Sequence, residues 1–298
     1  MRKYVIVTDS CSDLNENLRS KYDIDYIPMH MTYDGKDVLA DLDFKELSYK
    51  DFYKMLRDGT RFTTAQITAN EYTERFEKYL SEGYDILSIT CSSGLSASYQ
   101  TSLGVKEELL KKYPDAKIRC VDSLNACFAL GLLCIIASDM RKEGKTIDEV
   151  ADFVEKNRLK SNQECTVEKL TYLKQAGRVS ASSAFFGGLL NVKPIIISDA
   201  LGVNAAIEKV KGKKMAYDRL IERSTTSYDP SLSKYVIFGH ADCEEEALEL
   251  KRLFLEKVKV EKENIFVEKI GPIIGATAGP GTVAIFFMGK EVTFNKKD

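Results

Sequence analysis

Three apolar runs in the first half of the chain end in the same way. Residues 4–8 run into Asp9-Ser10-Cys11-Ser12-Asp13, residues 85–89 into Thr90-Cys91-Ser92-Ser93, and residues 118–121 into Asp122-Ser123. Each polar ending leads into a stretch with helical spacing, at about 15–22, 97–112 and 124–142. Short β-rich runs separated by helices cannot close as hairpins. They need crossover connections, so they imply βαβ units and a parallel sheet. In open sheets of that kind ligands bind beyond the carboxyl ends of the strands. The three polar endings are therefore candidates for a binding rim, although a plain helix N-cap would also account for a serine or aspartate at each.

The second ending is the richest. Residues 91–98 carry four serines, one glycine and no charge. A strand that stops in small hydroxyl residues and then enters a helix collects unpaired N–H groups and hydroxyls at the positive end of a helix dipole. That place suits an anion, and we read it as the head-group site for a small acid.

Further helices are predicted where caps are legible: Ser48 with Asp51, Thr68 with Glu71, and Thr146 with Glu149. A second strand is predicted over 23–31, and a loop over 61–67. Beyond about residue 158 the texture changes. Strand-like runs at 165–167, 193–198, 203–210, 235–240, 265–270 and 283–288 are interrupted by helical stretches at 213–223 and 244–257, with a hairpin-like turn at Asp199-Ala200-Leu201-Gly202. The expected architecture is α/β: an N-terminal parallel-sheet βαβ domain over 1–158 and a C-terminal α+β domain over 159–298, with a ligand tunnel between them.

Bulk properties narrow the function classes. Of 298 residues, 44% are hydrophobic and 30% charged, with a net charge of -2, which leaves no basic excess for a nucleic acid or a membrane surface. Seven cysteines, without a C-x-x-C pair, and a start that goes straight into a strand suggest reduced cytoplasm rather than a disulfide framework. Cys127 and Cys134 read as buried helix positions. The longest apolar run, 126–137, is short of the ~20 residues of a bilayer span, so no integral membrane segment is expected.

Several motifs fail on mechanism. Gly144-Lys145-Thr146 resembles the tail of a phosphate loop, but the leading glycine would fall on Asp139. Gly279-Pro280-Gly281-Thr282-Val283-Ala284 fits a dinucleotide fingerprint by letter, yet it precedes a strand instead of opening a helix. Gly94-Leu95-Ser96-Ala97-Ser98 approaches a nucleophile elbow with serine at its fifth position. A base for it would have to be His30 or His240, the latter with Asp242 two residues on. No metal-ligand spacing is present. A carboxylate site fits better: Thr63-Thr64 and Ser92-Ser93-Ser96 offer hydroxyls, and residues 271–281 read as a glycine-rich turn with exposed amides and Thr277 at its centre.

The chain resembles the DegV family of bacterial fatty-acid-binding proteins. The matching segments include Val7-Thr8-Asp9-Ser10-Cys11-Ser12-Asp13-Leu14, Ile27-Pro28, Thr64-Ala65-Gln66, Ser92-Ser93-Gly94-Leu95-Ser96 and Val121-Asp122-Ser123. They continue with Gly177-Arg178-Val179-Ser180, Lys193-Pro194-Ile195, Ile270-Gly271-Pro272 and Gly279-Pro280-Gly281. They fall in order over nearly the whole chain. The resemblance implies two domains with a long acyl chain buried between them. It also implies a non-catalytic carrier that presents the acid to a partner ATP-dependent fatty acid kinase, which makes acyl phosphate. The only ligand implied is the long-chain fatty acid itself, with no cofactor and no metal. By position, the carboxylate ligands fall on Thr64 and Ser96. The third, a histidine in other members, is Thr277 here. Ser93 and Arg178 are possible additional head-group contacts, and Lys211 is a basic position for head group or partner where other members carry arginine. Apolar lining is expected from 184–190, 195–197, 273–274 and part of the 126–137 helix. Two other readings are open: a serine hydrolase or acyl-transfer enzyme using Ser96, and a regulatory interaction module whose lipid is only structural.

Overall fold

The computed structural model describes residues 2–180 and 191–295. The first part runs β1 (Tyr4–Asp9), α1 (Glu16–Tyr22), β2 (Ile24–Ile27), β3 (His30–Tyr33), β4 (Lys36–Leu39), α2 (Tyr49–Arg57), β5 (Thr63–Ala65), α3 (Ala69–Ser81), β6 (Asp85–Thr90), α4 (Ser98–Lys112), β7 (Ile118–Asp122), α5 (Cys127–Lys142) and α6 (Ile147–Asn157). The second runs β8 (Ser161–Thr166), α7 (Leu170–Ala176), β9 (Val179–Ser180), β10 (Val192–Ser198), β11 (Asn204–Lys211), α8 (Gly212–Ser227), β12 (Val236–His240), α9 (Glu244–Leu255), β13 (Ile265–Lys269), α10 (Pro272–Ala278) and β14 (Val283–Met288).

The first sheet has the order β2-β1-β6-β7 and is parallel throughout. This is the βαβ arrangement that the strand–helix alternation dictates, and it brings the three polar strand endings side by side. The predicted strand over 23–31 is two strands in different sheets. Pro28 lacks the N–H that a ladder needs, so β2 stops at Ile27. His30–Tyr33 then joins a small antiparallel sheet of order β4-β3-β5. The predicted loop over 61–67 contains β5, with Thr64 opposite Met31.

The second sheet has the order β13-β12-β14-β8-β10-β11-β9, antiparallel except at the β12–β13 and β11–β9 pairs. Strand β8 begins earlier than the hydrophobic pattern indicates, because Ser161-Asn162-Gln163-Glu164 are polar yet buried. Their partners are distant in sequence: Gln163 Nε2 donates to Asn204 Oδ1 at 2.9 Å, and Arg223 pairs with Glu164 at 2.7 Å. Burial pushes the Glu164 carboxyl up to about 6, against the pull of Arg223. The expected glycine-rich turn at 271–281 is largely the helix α10. Pro272 sits in its first turn, where the missing N–H costs nothing. Gly275 admits the Tyr53 hydroxyl, which a Cβ there would meet at 2.5 Å.

Strand alternation sorts the second sheet into two faces. Ile195, Val236, Phe238, Ile285 and Phe287 pack with Leu220, Leu250 and Phe254 of α8 and α9. Ile196, Ile237, Ala284 and Phe286 face the other way and join the core that contains Val7, Ile86 and Ile89 of the first sheet. Between the sheets lies α5, buried at every position from Cys127 to Ser138. A helix apolar all round has no solvent face to offer, and α5 touches β1 and β6 as well as β8, β12 and β14. Cys127 and Cys134 are buried within it, and the cysteines are free thiols. Among the described residues no helix is long and apolar enough to cross a membrane.

Candidate functional site

A cavity of about 440 Å³ lies between the carboxyl ends of the parallel strands and the inner face of the second sheet. That is the size range of small-molecule sites. Its wall on the second sheet is a row across three strands, since Cys165 of β8 stands opposite Ala284 of β14 and Ile196 of β10. Phe286, Ile270, Ile273 and Ile274 add apolar surface. Thr64, Ser93, Ser96, Arg178 and Thr277 supply polar groups to the same cavity. Polar residues from 64 to 277 thus converge from the small sheet, the β6–α4 loop, the α7–β9 turn and α10.

The loop carrying Ser93 and Ser96 is braced on every side. Ser92 N–H donates to the Asn125 carbonyl at 2.8 Å, and Ser93 N–H to Asp122 Oδ1 at 3.1 Å. Gly94 rests against the 199–202 turn, where a Cβ would come within 2.9 Å of the Leu201 carbonyl oxygen. Ser96 Oγ accepts from Ser98 N–H at 3.2 Å and lies 3.0 Å from Ser98 Oγ. With the Ser98 hydroxyl as donor, the Ser96 proton is left for a ligand.

The polar strand endings are cross-ties as well as caps. Asp9 Oδ1 accepts from Cys11 N–H at 2.8 Å within its own turn, while Oδ2 accepts from Cys91 N–H at 2.7 Å on the neighbouring strand. Asp122 Oδ1 likewise serves both Ser93 and Leu124. Burial pushes the Asp9 carboxyl up to about 6, against the pull of these amides. Asp13 is also buried, and among the described residues neither of its oxygens meets the geometry of a hydrogen bond. Its burial carries it to about 8.

The other expected residues fall differently. Thr64 sits in β5, with its backbone held by Met31. Arg178 donates to the carbonyls of Ala176 at 2.6 Å and Leu95 at 3.4 Å. Thr277 lies on a helix, not at the centre of an open turn. Lys211 is outside the cavity. It ends β11, seven residues from Asn204 at the cavity wall, roughly 23 Å away at ~3.3 Å per residue. Of residues 195–197 only Ile196 lines the cavity, because Ile195 faces the outer core. Ala126 and Cys127 are the contribution of the 126–137 stretch. Residues 184–190 lie outside the described residues.

Neither histidine lines the cavity. His30 Nε2 is 2.8 Å from Glu71, and His240 is buried beside Tyr49. The described residues bring no base to Ser96, and among them no group of three or more His, Cys, Asp or Glu could hold a metal ion. Sequence reasoning did not single out Cys11, Cys91, Cys165 and Met29 as cavity residues. Cys11 and Cys91 had a legible signal, since each follows directly on a polar strand ending.

A family model described as "Uncharacterised protein, DegV family" matches residues 3–290. The chain belongs to the DegV family. A DegV domain-containing protein of Clostridium perfringens is 37% identical over 289 residues, 97% of this chain and 98% of the relative. Among solved structures, a DegV lipid-binding protein from Thermotoga maritima superposes with a TM-score of 0.83 at 28% identity, covering 98% of this chain and all of the other. A second Thermotoga maritima DegV relative, described as having fatty acid binding function, gives a TM-score of 0.83 at 28% identity, over 97% of this chain and 100% of that one. The match spans the stretches around Ser92–Ser96 and Gly177–Ser180, which both border the cavity.

Proposed function

We propose that this DegV protein binds a long-chain fatty acid, with the carboxylate at Thr64, Ser96 and Thr277 and the acyl tail between the two sheets. The observation that carries the reading is the cavity itself, with hydroxyls from three separate elements meeting a wall of Ile196, Ile273, Ile274 and Phe286. The fatty-acid-binding function of a Thermotoga maritima relative supports it. At ~0.8 kcal/mol per buried methylene, a tail of ~15 contributes roughly 12 kcal/mol before ordering costs. The head group then sets orientation and selectivity for acids more than affinity.

In this reading the protein is a non-catalytic carrier in the cytoplasm. A partner fatty acid kinase acts on the presented carboxylate, in phospholipid metabolism. Ser93 and Arg178 assist at the head group, and Lys211, remote from the cavity, serves the partner surface. The chain divides at about residue 158, where it leaves α6 for the second sheet. Denaturing mass spectrometry of purified protein should release a stoichiometric fatty acid. A preparation that carries no lipid and takes up none would overturn the proposal. Labelling of Ser96 by a fluorophosphonate would favour the hydrolase instead.

A further inference from the structure

Two of the cysteines on the cavity wall stand in a special relation. Cys11 follows β1, Cys91 follows β6, and these strands are parallel neighbours. The two backbone N–H groups bind the two oxygens of one carboxylate, Asp9, at 2.8 and 2.7 Å. The residues are therefore tied to each other through one carboxylate, and a disulfide between them needs a Cα separation of roughly 4.4–6.8 Å. Both cysteines are buried among protein atoms and open onto the cavity. The Met29 sulfur lies 3.5 Å from Cys11 Sγ.

We propose that Cys11 and Cys91 form a dithiol that reduces a hydroperoxide admitted to the cavity and closes to a disulfide in its wall. The Asp9 carboxylate, which holds the Cys11 N–H at 2.8 Å, takes the thiol proton. The thiolate sulfur attacks the terminal peroxide oxygen and the O–O bond breaks. Cys11 becomes a sulfenic acid, and the departing oxygen takes the proton from Asp9 and leaves as an alcohol, or as water from hydrogen peroxide. The Cys91 sulfur then displaces the sulfenic oxygen, the S–S bond forms, and water leaves with the Cys91 proton. Two thiols are oxidised and one hydroperoxide is reduced. The hydrogen bond to Cys91 and burial both push the Cys11 thiol well up, so the pair is slow toward bulk oxidants. A hydroperoxide on a bound acyl chain would be held against it, where proximity replaces thiolate concentration.

The acyl-chain source rests on the fatty-acid reading above, whereas the dithiol does not. The test treats reduced full-length protein with one equivalent of linoleic acid hydroperoxide or of hydrogen peroxide. Non-reducing peptide mapping then locates disulfides, and mass spectrometry counts hydroxy acid. A Cys11–Cys91 disulfide formed with one hydroxy acid per bond, and roughly tenfold or more faster than with hydrogen peroxide, is the result expected if the peroxide rides on the ligand. A disulfide formed at least as fast by hydrogen peroxide, and blocked by palmitate, supports the dithiol with a free peroxide as substrate. Cys11→Ser and Cys91→Ser should each abolish the disulfide, while Cys120→Ser, outside the cavity, should keep it. Absence of a Cys11–Cys91 disulfide under both oxidants, or pairing of other cysteines instead, overturns the proposal. If native mass spectrometry shows no lipid uptake but hydrogen peroxide still forms the bond, it is the fatty-acid reading that falls.

Discussion

Thr277 Oγ1 donates to the carbonyl oxygen of Ile273 at 2.9 Å, one turn earlier in α10. Its one hydroxyl proton is thus already committed inside the helix. Among the described residues Thr64 has no such tie, and Ser96 accepts from the Ser98 N–H. The three hydroxyls at the cavity are not equivalent, although their residue types suggest that they are. Thr64→Val and Ser96→Ala should each weaken oleate binding by about ten- to a hundredfold, a charge-assisted bond being worth ~1.5–3 kcal/mol. Thr277→Val should cost less than about threefold, under ~0.7 kcal/mol. Isothermal titration of the three variants decides it, and equal losses at all three would show that Thr277 turns away from Ile273 to meet the ligand.

Ala284 faces the cavity at one end of the row it forms with Cys165 and Ile196. Ala284→Leu should fill the space where a long tail passes. Stearate affinity should fall by roughly tenfold or more, while decanoate is held nearly as before. Overpacking should also lower stability by about 1–3 kcal/mol. Competition binding with the two acids measures this, and a parallel loss for both would place the tail elsewhere.

Gly202 has φ +73°, and a Cβ there would meet Ser92 Oγ at 2.1 Å. Gly202→Ala should therefore strain the 199–202 turn and push the Ser92–Ser96 loop at once. A loss on the order of 1–3 kcal/mol in stability is expected, together with weaker fatty-acid binding, although residue 202 touches no ligand in the proposed site. Thermal melts with and without oleate test both parts.

Asp13 gives the pH dependence a definite sign. Its carboxyl is raised from 3.8 to about 8 in the folded protein, so between those values the native state holds a proton that the unfolded chain has lost. Stability from this group is present below about 4 and declines as pH rises toward about 8. Asp9, raised to about 6, acts in the same direction. Asp13→Asn should flatten the fall in melting temperature between pH 5 and 8 and be more stable than the parent at pH 8, by on the order of a few kcal/mol. Residue 13 has φ 55°, a conformation that asparagine accepts readily. A steeper decline in the variant would refute the assignment.

The parallel sheet was legible because strand, polar ending and helix recur in one order, and local pattern suffices for that. The capping pairs Thr68–Glu71 and Thr146–Glu149 formed as read. What escaped depends on distant partners. The polar start of β8 is a buried strand only because Asn204 and Arg223 wait for it. Strand β5 exists only because β3 offers an edge, and α7 carries too short an apolar pattern to be distinguished. Residues 271–281 were misread because glycine signals a turn by default, whereas Gly275 is there to admit Tyr53. At the site, hydroxyl positions could be proposed from the DegV motifs. Which hydroxyl has a free proton could not, since that depends on Ser98 and Ile273 as they stand in the fold.

The burial of α5 on all sides bears on how the molecule comes apart. The proposed division near residue 158 follows a change of sheet, but α5 gives its apolar surface to both sheets. Neither half can be removed without exposing it to water. A fragment ending at 158 should behave as a collapsed, aggregation-prone chain, and the whole protein should unfold in one cooperative step. In the proposed carrier a fatty acid would then come and go through movement of the surrounding loops, because a hinge that parted the two sheets would expose the side of α5 that holds them together.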